Sequence, residues 1–162
     1  MNSEKDYGRT DFCVLMGDGA MAQGDYAKAL EYYAAGAAKG LAAAQHNLAH
    51  LYQEGKGVAV NYAEALKLYV RAAEQGAAPS QVNLGLMYFH GQGIARDYAK
   101  ALEWIRKGAE QRFAPGEHVL GSIYDNGKAI PRDRSQAFEW YSRAAAKGYP
   151  PAIEALRRMR GQ

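Results

Sequence analysis

Histidine is the residue type in this chain best suited to chemistry, because imidazole can bind a metal or transfer a proton near neutral pH. The four are His46, His50, His90 and His118. His46 and His50 are four residues apart, which places them on one face of a helix. A metal site would need further converging ligands, which Glu54 or Asp125 could supply. We interpret the histidines instead as part of a polar recognition groove, and we expect neither a metal nor any other cofactor.

No pattern of a catalytic nucleophile is present. The chain contains no Ser-x-x-Lys, no Gly-x-Ser-x-Gly and no His-Glu-x-x-His, the patterns typical of several hydrolase classes. Gly127-Lys128 follows Gly121 after five residues, whereas a phosphate-binding loop needs four and then Ser or Thr. The single cysteine, Cys13, falls in a predicted helix with no histidine nearby in sequence. We interpret it as a buried structural thiol and expect a protein that is not an enzyme.

Composition narrows the class of partner. The 162 residues carry a net charge of only +3, with 48% apolar and 23% charged residues, which is typical of one globular domain. Acidic and basic residues alternate, so nucleic-acid binding is not expected. The chain has no apolar run of about 18 residues, and membrane insertion is not expected either. The charged segment 1–6 lacks an apolar core, and a lone cysteine forms no internal disulfide. Both favour a cytoplasmic protein, although a processed periplasmic form stays open.

A repeat of 36 residues organises the chain. Gly55-Lys56-Gly57-Val58 returns as Gly91-Gln92-Gly93-Ile94 and again as Gly127-Lys128-Ala129-Ile130. A fixed period of this length predicts a solenoid of stacked helix pairs. We expect a single repeat domain over 1–162, with an atypical N-terminal repeat at 1–40. Full repeats follow at 41–76, 77–112 and 113–148, and a C-terminal capping helix at 149–162.

Each full repeat shows the same local signals. In the first, an apolar i, i+3, i+4 pattern predicts a helix, here termed helix A, that ends at Gly55. Asn61 is the predicted N-cap of a second helix, helix B, with Glu64 completing a capping box. Small residues recur where helices must cross closely: Ala29, Ala65, Ala101 and Ala137 at one position, and Ala49, Gly85 and Gly121 at another. Aromatic residues of helix B are predicted to fill the core between repeats.

The segment 80–109 resembles the Sel-one-like repeat (SLR) family, a relative of the tetratricopeptide repeat, and the resemblance extends over about residues 25–156. The family pattern is roughly A-x-x-x-L-G-x-x-Y-x-x-G-x-G-V-x-x-D-x-x-K-A-x-x-W-Y-x-K-A-A-x-x-G. The N-terminal repeat looks more like a tetratricopeptide, and Arg112, Ala129 and Arg134 replace pattern residues. The resemblance implies an all-α, right-handed α/α superhelical solenoid in which helix A of each repeat lines the concave side. It also implies a non-catalytic scaffold or adaptor that binds a protein or peptide, as in bacterial regulatory, host-interaction or effector–immunity proteins.

The candidate binding residues are helix A positions that vary between copies while the packing positions stay the same. They are His46, His50, Gln53 and Glu54 in the first full repeat, Val82, Leu86, Phe89 and His90 in the second, and His118, Ser122, Asp125 and Asn126 in the third. We expect Leu86 and Phe89 to be exposed apolar anchors for the partner; the alternative is that Phe89 packs against a neighbouring helix. Two other functions stay open: an enzyme acting on cell-wall or β-lactam substrates, and a self-assembling structural module.

Overall fold

The computed structural model describes residues 11–161, which form nine α-helices and no strand. The helices are α1 (Phe12–Ala22), α2 (Tyr26–Ala38), α3 (Ala42–Glu54), α4 (Tyr62–Glu74), α5 (Ala78–His90), α6 (Tyr98–Glu110), α7 (Ala114–Asn126), α8 (Arg134–Ala145) and α9 (Pro150–Arg160). The odd-numbered helices are the A helices and the even-numbered ones the B helices. The predicted all-α repeat solenoid is confirmed. The charged segment 1–6, from which we expected no signal peptide, lies outside the described residues.

The helix ends lie where local chemistry places them. The side chains of Asn61 and Asp97 accept hydrogen bonds from the backbone N–H three residues later, as predicted for N-caps. The A helices α3 and α5 end at Gly55 and Gly91, both in the left-handed conformation with φ of 69° and 72°. Glycine adopts this conformation without the steric cost that a Cβ brings. Each full repeat therefore begins and ends its helices with its own residues.

Packing is confined to neighbouring helices. Each helix contacts the one before it and the one after it, and in addition α5 contacts α7 and α1 contacts α3. Among the described helices, no two B helices make a comparable contact. Two pairs of A helices thus come into direct contact, α1 with α3 and α5 with α7. We call the surface formed by the exposed side chains of α3, α5 and α7 the A-helix face.

The predicted small residues lie at the helix crossings. Ala65 and Ala101 are completely buried. A Cβ added to Gly85 would lie 2.5 Å from Ile105 Cγ1, and one added to Gly121 would lie 2.8 Å from Tyr141 Cδ1. Contacts this short would force a backbone shift. The prediction that these positions require small side chains is confirmed.

In each full repeat, a pair of polar side chains joins the end of helix B to helix A of the same repeat. Gln75 Nε2 donates to Gln45 Oε1 at 2.7 Å in the first full repeat, and Gln111 Nε2 donates to Gln81 Oε1 at 2.8 Å in the second. The third full repeat has a charged pair at the same positions. There Lys147 Nζ donates to both carboxylate oxygens of Glu117, whose side chain is only 3% exposed.

The sequence misplaced several residues of the B helices. Phe138, predicted to face inward, is 43% exposed, because α9 is the last described helix and no further B helix covers this side. Trp104 and Trp140 pack against the core as predicted, but both are only half-buried. Each has a cation over its ring, Lys107 Nζ at 4.3 Å from the centroid of Trp104 and Arg143 Cζ at 4.4 Å from that of Trp140.

Candidate functional site

Helices α5 and α7 enclose a cleft on the A-helix face. It has a volume of about 230 Å³, and we call it the α5–α7 cleft. Its lining residues are Leu86, Phe89, His90, His118, Val119, Ser122, Ile123 and Asn126. Six of these eight belong to the set named from sequence, so two of the three predicted groups of side chains meet at one place. The group from α3, namely His46, His50, Gln53 and Glu54, lies on the adjoining part of the face.

Two of the predicted binding residues, one of them a predicted anchor, are buried. Val82 is only 3% exposed, because it packs where Gly108 and Gly116 bring two backbones close together. Phe89 is 8% exposed, and its ring packs against Tyr98 at 5.0 Å between centroids. The expectation that Phe89 is exposed is therefore wrong, and the alternative that it packs against a neighbouring helix is confirmed. Phe89 forms the floor of the α5–α7 cleft, and the half-buried Leu86 forms part of its wall.

The sequence analysis missed Val119 and Ile123 as lining residues. Ile123 was assigned to the core, and it is indeed buried while also lining the cleft. Val119 was not singled out, although a comparison of copies contains the signal. The equivalent positions in the two preceding units are Asn47 and Asn83, so an apolar residue replaces an amide at this one place.

In the preceding junction, between α3 and α5, the same space holds a hydrogen-bond network. The fully buried Tyr69 donates its hydroxyl hydrogen to Gln53 Oε1 at 2.9 Å and accepts from Asn83 Nδ2 at 3.0 Å. Gln53 Nε2 in turn donates to Gln92 Oε1 at 3.2 Å. Burial raises the pKa of Tyr69 to about 12, so its hydroxyl stays protonated. Gln53, a predicted binding residue, is thus engaged within the protein.

Three of the four members of this network are apolar one unit later, and the fourth, Gln92, corresponds to Lys128. Tyr69, Gln53 and Asn83 correspond to Ile105, Phe89 and Val119, each 36 residues further along the chain. A buried hydroxyl or amide without a partner costs about 1–3 kcal/mol. The three positions therefore depend on one another, and their joint replacement makes the α5–α7 junction apolar.

The histidines on this face serve different local roles. His46 Nδ1 lies 2.9 Å from Ser80 Oγ, and its ring packs against Tyr69 at 5.5 Å between centroids. Burial, assisted by the charge of His50, lowers the pKa of His46 to about 4, so it is neutral at pH 7. His50 Nε2 lies 3.5 Å from a carboxylate oxygen of Glu54. These contacts support structural and polar recognition roles.

His118 lies between two aromatic rings in the last full repeat. The ring centroids of Tyr141 and Tyr149 are 5.4 Å and 5.5 Å away. Burial, and to a lesser extent the charge of Arg158, lowers the pKa of His118. His90 is exposed at the rim of the cleft. Within residues 11–161, no three His, Cys, Asp or Glu side chains converge in a way that could hold a metal ion.

A second cleft adjoins the first on the other side of α7. It has a volume of about 440 Å³, and we call it the α7–α9 cleft. Its lining residues are His118, Ser122, Tyr141, Pro151, Glu154, Ala155 and Arg158. His118 and Ser122 line both clefts, so the two form one groove that passes over α7.

This end of the groove is basic. The carboxylate of Asp125 forms two ion pairs, one with Arg132 Nη2 and one with Arg158 Nη2, each at 3.3 Å. One anion therefore faces two cations. Residues 113–161 contain eight lysines and arginines against five aspartates and glutamates, whereas residues 11–112 contain ten of each. The net charge of the described chain thus resides in its C-terminal third.

The single cysteine of the sequence lies in α1, away from the two clefts. Cys13 is buried, as predicted, and its Sγ accepts a hydrogen bond from Lys39 Nζ at 3.3 Å. Among the helices of residues 11–161, none combines the length and apolar character that crossing a membrane requires.

Comparison with known proteins places the repeats in a family. A family model described as the Sel1 repeat matches residues 6–41, 42–76, 78–113 and 114–149. The first match includes the unit that the sequence analysis likened to a tetratricopeptide. A comparison with curated proteins gave no match.

Solved structures show the same architecture. A Sel1 repeat protein from Oxalobacter formigenes is 35% identical with a TM-score of 0.78, over 88% of this chain and 57% of that one. The protective antigen c5321 of uropathogenic Escherichia coli, which displays an SLR fold, is 38% identical with a TM-score of 0.75, over 84% of this chain and 30% of that one. A sel1 repeat protein from Klebsiella pneumoniae subsp. pneumoniae, 22% identical, has a TM-score of 0.59 over 90% of this chain and 75% of that one, a likeness of fold. The chain thus spans little more than half of the Oxalobacter formigenes protein and less than a third of the Escherichia coli antigen.

Proposed function

Because the chain belongs to the Sel1 repeat family, whose members are commonly protein-interaction scaffolds, we propose that it binds a protein or peptide partner along the A-helix face. The observation that carries this proposal is the α5–α7 cleft. It lies on the face where the copies differ most, and Leu86, Val119 and Ile123 make it apolar. Most of the A-helix residues named from sequence form or flank this binding surface, with the buried Phe89 among the lining residues.

The shape of the cleft favours a side chain of a partner chain over an independent small molecule. Sites that enclose a whole small molecule usually measure about 300–1,000 Å³, and the α5–α7 cleft, at about 230 Å³, is smaller. It also continues over α7 into the α7–α9 cleft, so neighbouring residues of the same partner have a place to bind. A groove with one apolar depression suits a segment that inserts one anchor residue.

We propose that this scaffold acts without catalysis. The cleft holds His118 and Ser122, but the sequence contains none of the hydrolase motifs considered above, and within residues 11–161 no three potential metal ligands converge. The buried thiol of Cys13 is the lone cysteine in the sequence, which supports a reducing, cytoplasmic setting for the interaction.

The test uses a control variant that the chain itself supplies. Phe89→Gln, Ile105→Tyr and Val119→Asn together rebuild the polar network of the preceding junction, and we call this triple replacement the polar-graft variant. A random 12-residue peptide library displayed on phage is selected on the wild-type protein. Selected peptides are then synthesised and titrated by fluorescence anisotropy against both proteins. We expect the polar-graft variant to bind at least about thirtyfold more weakly, since a buried anchor contributes about 2 kcal/mol or more.

Lys67→Ala and Arg71→Ala, both on the exposed side of α4, serve as the matched surface control. These two variants are expected to bind the peptides with affinities within about twofold of the wild type, because solvated charges contribute little. If they abolish binding while the polar-graft variant binds normally, the partner uses the B-helix surface and the proposal is wrong.

A further inference from the structure

We propose that the bound segment carries a bulky aliphatic or aromatic side chain with acidic residues a few positions away. The apolar side chain enters the α5–α7 cleft, and the carboxylates reach Arg158 at the α7–α9 end of the groove and Lys128 beside the α5–α7 cleft. This inference rests on the proposed function and specifies the chemistry of the partner.

The α5–α7 cleft favours an apolar side chain because apolar residues replace the polar ones of the preceding junction. At the α3–α5 junction, amide and hydroxyl groups occupy the equivalent space and bind one another. At the α5–α7 junction, Val119 and Ile123 face Leu86 over the ring of Phe89. A polar side chain inserted there would lose its hydrogen bonds to water and find few replacements, which costs about 1–3 kcal/mol. An aliphatic or aromatic side chain instead gains from leaving water.

The acidic half follows from the charges beside the cleft. The side chain of Arg158 is 61% exposed although it contacts Asp125, whose own side chain is 16% exposed and shared with Arg132. A guanidinium has five N–H donors, so Arg158 can bind a partner carboxylate while it keeps its internal contact. Lys128 Nζ lies 5.8 Å from the centroid of the Phe89 ring, which places a second cation near the cleft floor. Glu154 is the acidic residue among those that line the α7–α9 cleft.

The distance between the two halves sets their spacing in the partner. The clefts lie on opposite sides of one helix, α7, and share His118 and Ser122. Packed helix axes are about 8–10 Å apart, and an extended chain advances about 3.3 Å per residue. An acidic residue about three positions from the apolar anchor therefore reaches Arg158 when the segment is extended.

The phage selection described above tests this inference when its sequences are read for composition. Peptides that bind the wild type and are not removed by counter-selection on the polar-graft variant should share Leu, Ile, Met or Phe with Asp or Glu two to four positions away. They should also carry net negative charge. A synthetic peptide from this set is then compared with a copy in which each Asp and Glu is replaced by Asn and Gln.

Lys128→Gln and Arg158→Gln separate the charge effect from folding. We expect each to weaken binding of the acidic peptide about fivefold, the upper range for a partly exposed charge pair, and to leave the amide copy unaffected. Lys128→Gln keeps the contact between α9 and Asp125, so it tests the charge even if Arg158→Gln loosens the C-terminal helix. Circular dichroism melts identify any variant that has lost the fold.

The outcomes distinguish the two proposals. Peptides that require the α5–α7 cleft but carry no acidic residue, or carry net positive charge, overturn the acidic-partner inference and leave the proposed function standing. Peptides that bind the polar-graft variant as well as the wild type overturn the proposed function itself. If selection enriches no peptide, both are overturned.

Discussion

The α3–α5 and α5–α7 junctions have the same backbone plan and opposite interiors. In the first, a buried tyrosine, a glutamine and an asparagine bind one another. In the second, isoleucine, phenylalanine and valine take the same three positions. The difference shows that a junction between repeats can change character only if the dependent positions change together. A single exchange would leave a buried polar group without its partner.

The same comparison applies to the pair that joins each B helix to its A helix. Gln45–Gln75 and Gln81–Gln111 are neutral pairs, whereas Glu117–Lys147 is charged at both positions. Both members differ from the preceding copies, so no charge is left alone. Four exchanges between copies, taken in order of expected effect, test how far this dependence extends.

The largest effect is expected for the charged pair. Lys147→Gln leaves the buried carboxylate of Glu117 without its cation, and we expect the free energy of unfolding to fall by about 3 kcal/mol. Glu117→Gln together with Lys147→Gln recreates the neutral pair and should lie within about 1 kcal/mol of the wild type. Urea denaturation of both variants measures this. If the double variant is as unstable as the single one, the two positions are not a dependent set.

The next effect concerns the apolar junction. Ile105→Tyr alone places a hydroxyl among apolar side chains, and we expect a loss of about 2 kcal/mol from the unpaired group and the added volume. The polar-graft variant supplies partners at 89 and 119 and should recover most of that loss. Urea denaturation of the single and triple variants gives the interaction free energy. Additive losses would show that the network of the preceding junction has not formed.

A third exchange gives a pH-dependent effect. His46 has a folded pKa of about 4 against an ordinary value of 6.5, so its contribution to stability is complete above pH 6.5 and is lost as pH falls toward 4. Between pH 6.5 and pH 5.5 the loss is about 1 kcal/mol, and its limiting rate is about 1.4 kcal/mol for each pH unit. His46→Val, which installs the residue of the next copy, should flatten the dependence of unfolding free energy on pH between 6.5 and 4. An unchanged slope would contradict the low pKa of His46. His118, whose pKa is also lowered, is present in both proteins and serves as the internal reference.

The smallest effect is expected where one position changed alone. Arg112 has φ of 64° where Gly40, Gly76 and Gly148 hold the corresponding left-handed conformation. A side chain there costs about 1–2 kcal/mol, and glycine's greater freedom in the unfolded chain offsets about 0.4–1 kcal/mol. Arg112→Gly should therefore raise stability by about 0.8 kcal/mol, the difference between the middle values of these ranges, measured as a higher melting temperature. Gly148→Ala is the matched control, since open space surrounds that glycine, and it should lower the melting temperature.

Features set by neighbouring residues could be predicted from sequence, and features set by distant packing could not. Asp97 caps α6 and Gly91 ends α5 because each acts within one turn of its helix. The burial of Phe89 depends on Tyr98 and on α7, and that of Val82 on two glycines in other helices. Phe138 is exposed because none of the described helices after α8 is a B helix that could cover its side chain. The face that carries the candidate site was therefore predictable, whereas the division of its residues between wall and floor was not.

Because each helix contacts only its near neighbours, the α5–α7 cleft belongs to one junction rather than to the whole molecule. Inserting or deleting a whole 36-residue unit elsewhere in the array would leave both walls of that cleft in contact as they are now. Gene duplication can therefore lengthen the groove in whole-repeat steps without redesigning its anchor point. The recognition surface can be extended by duplicating repeats. The residues at the positions of Phe89, Ile105 and Val119 then determine which copy has the apolar depression.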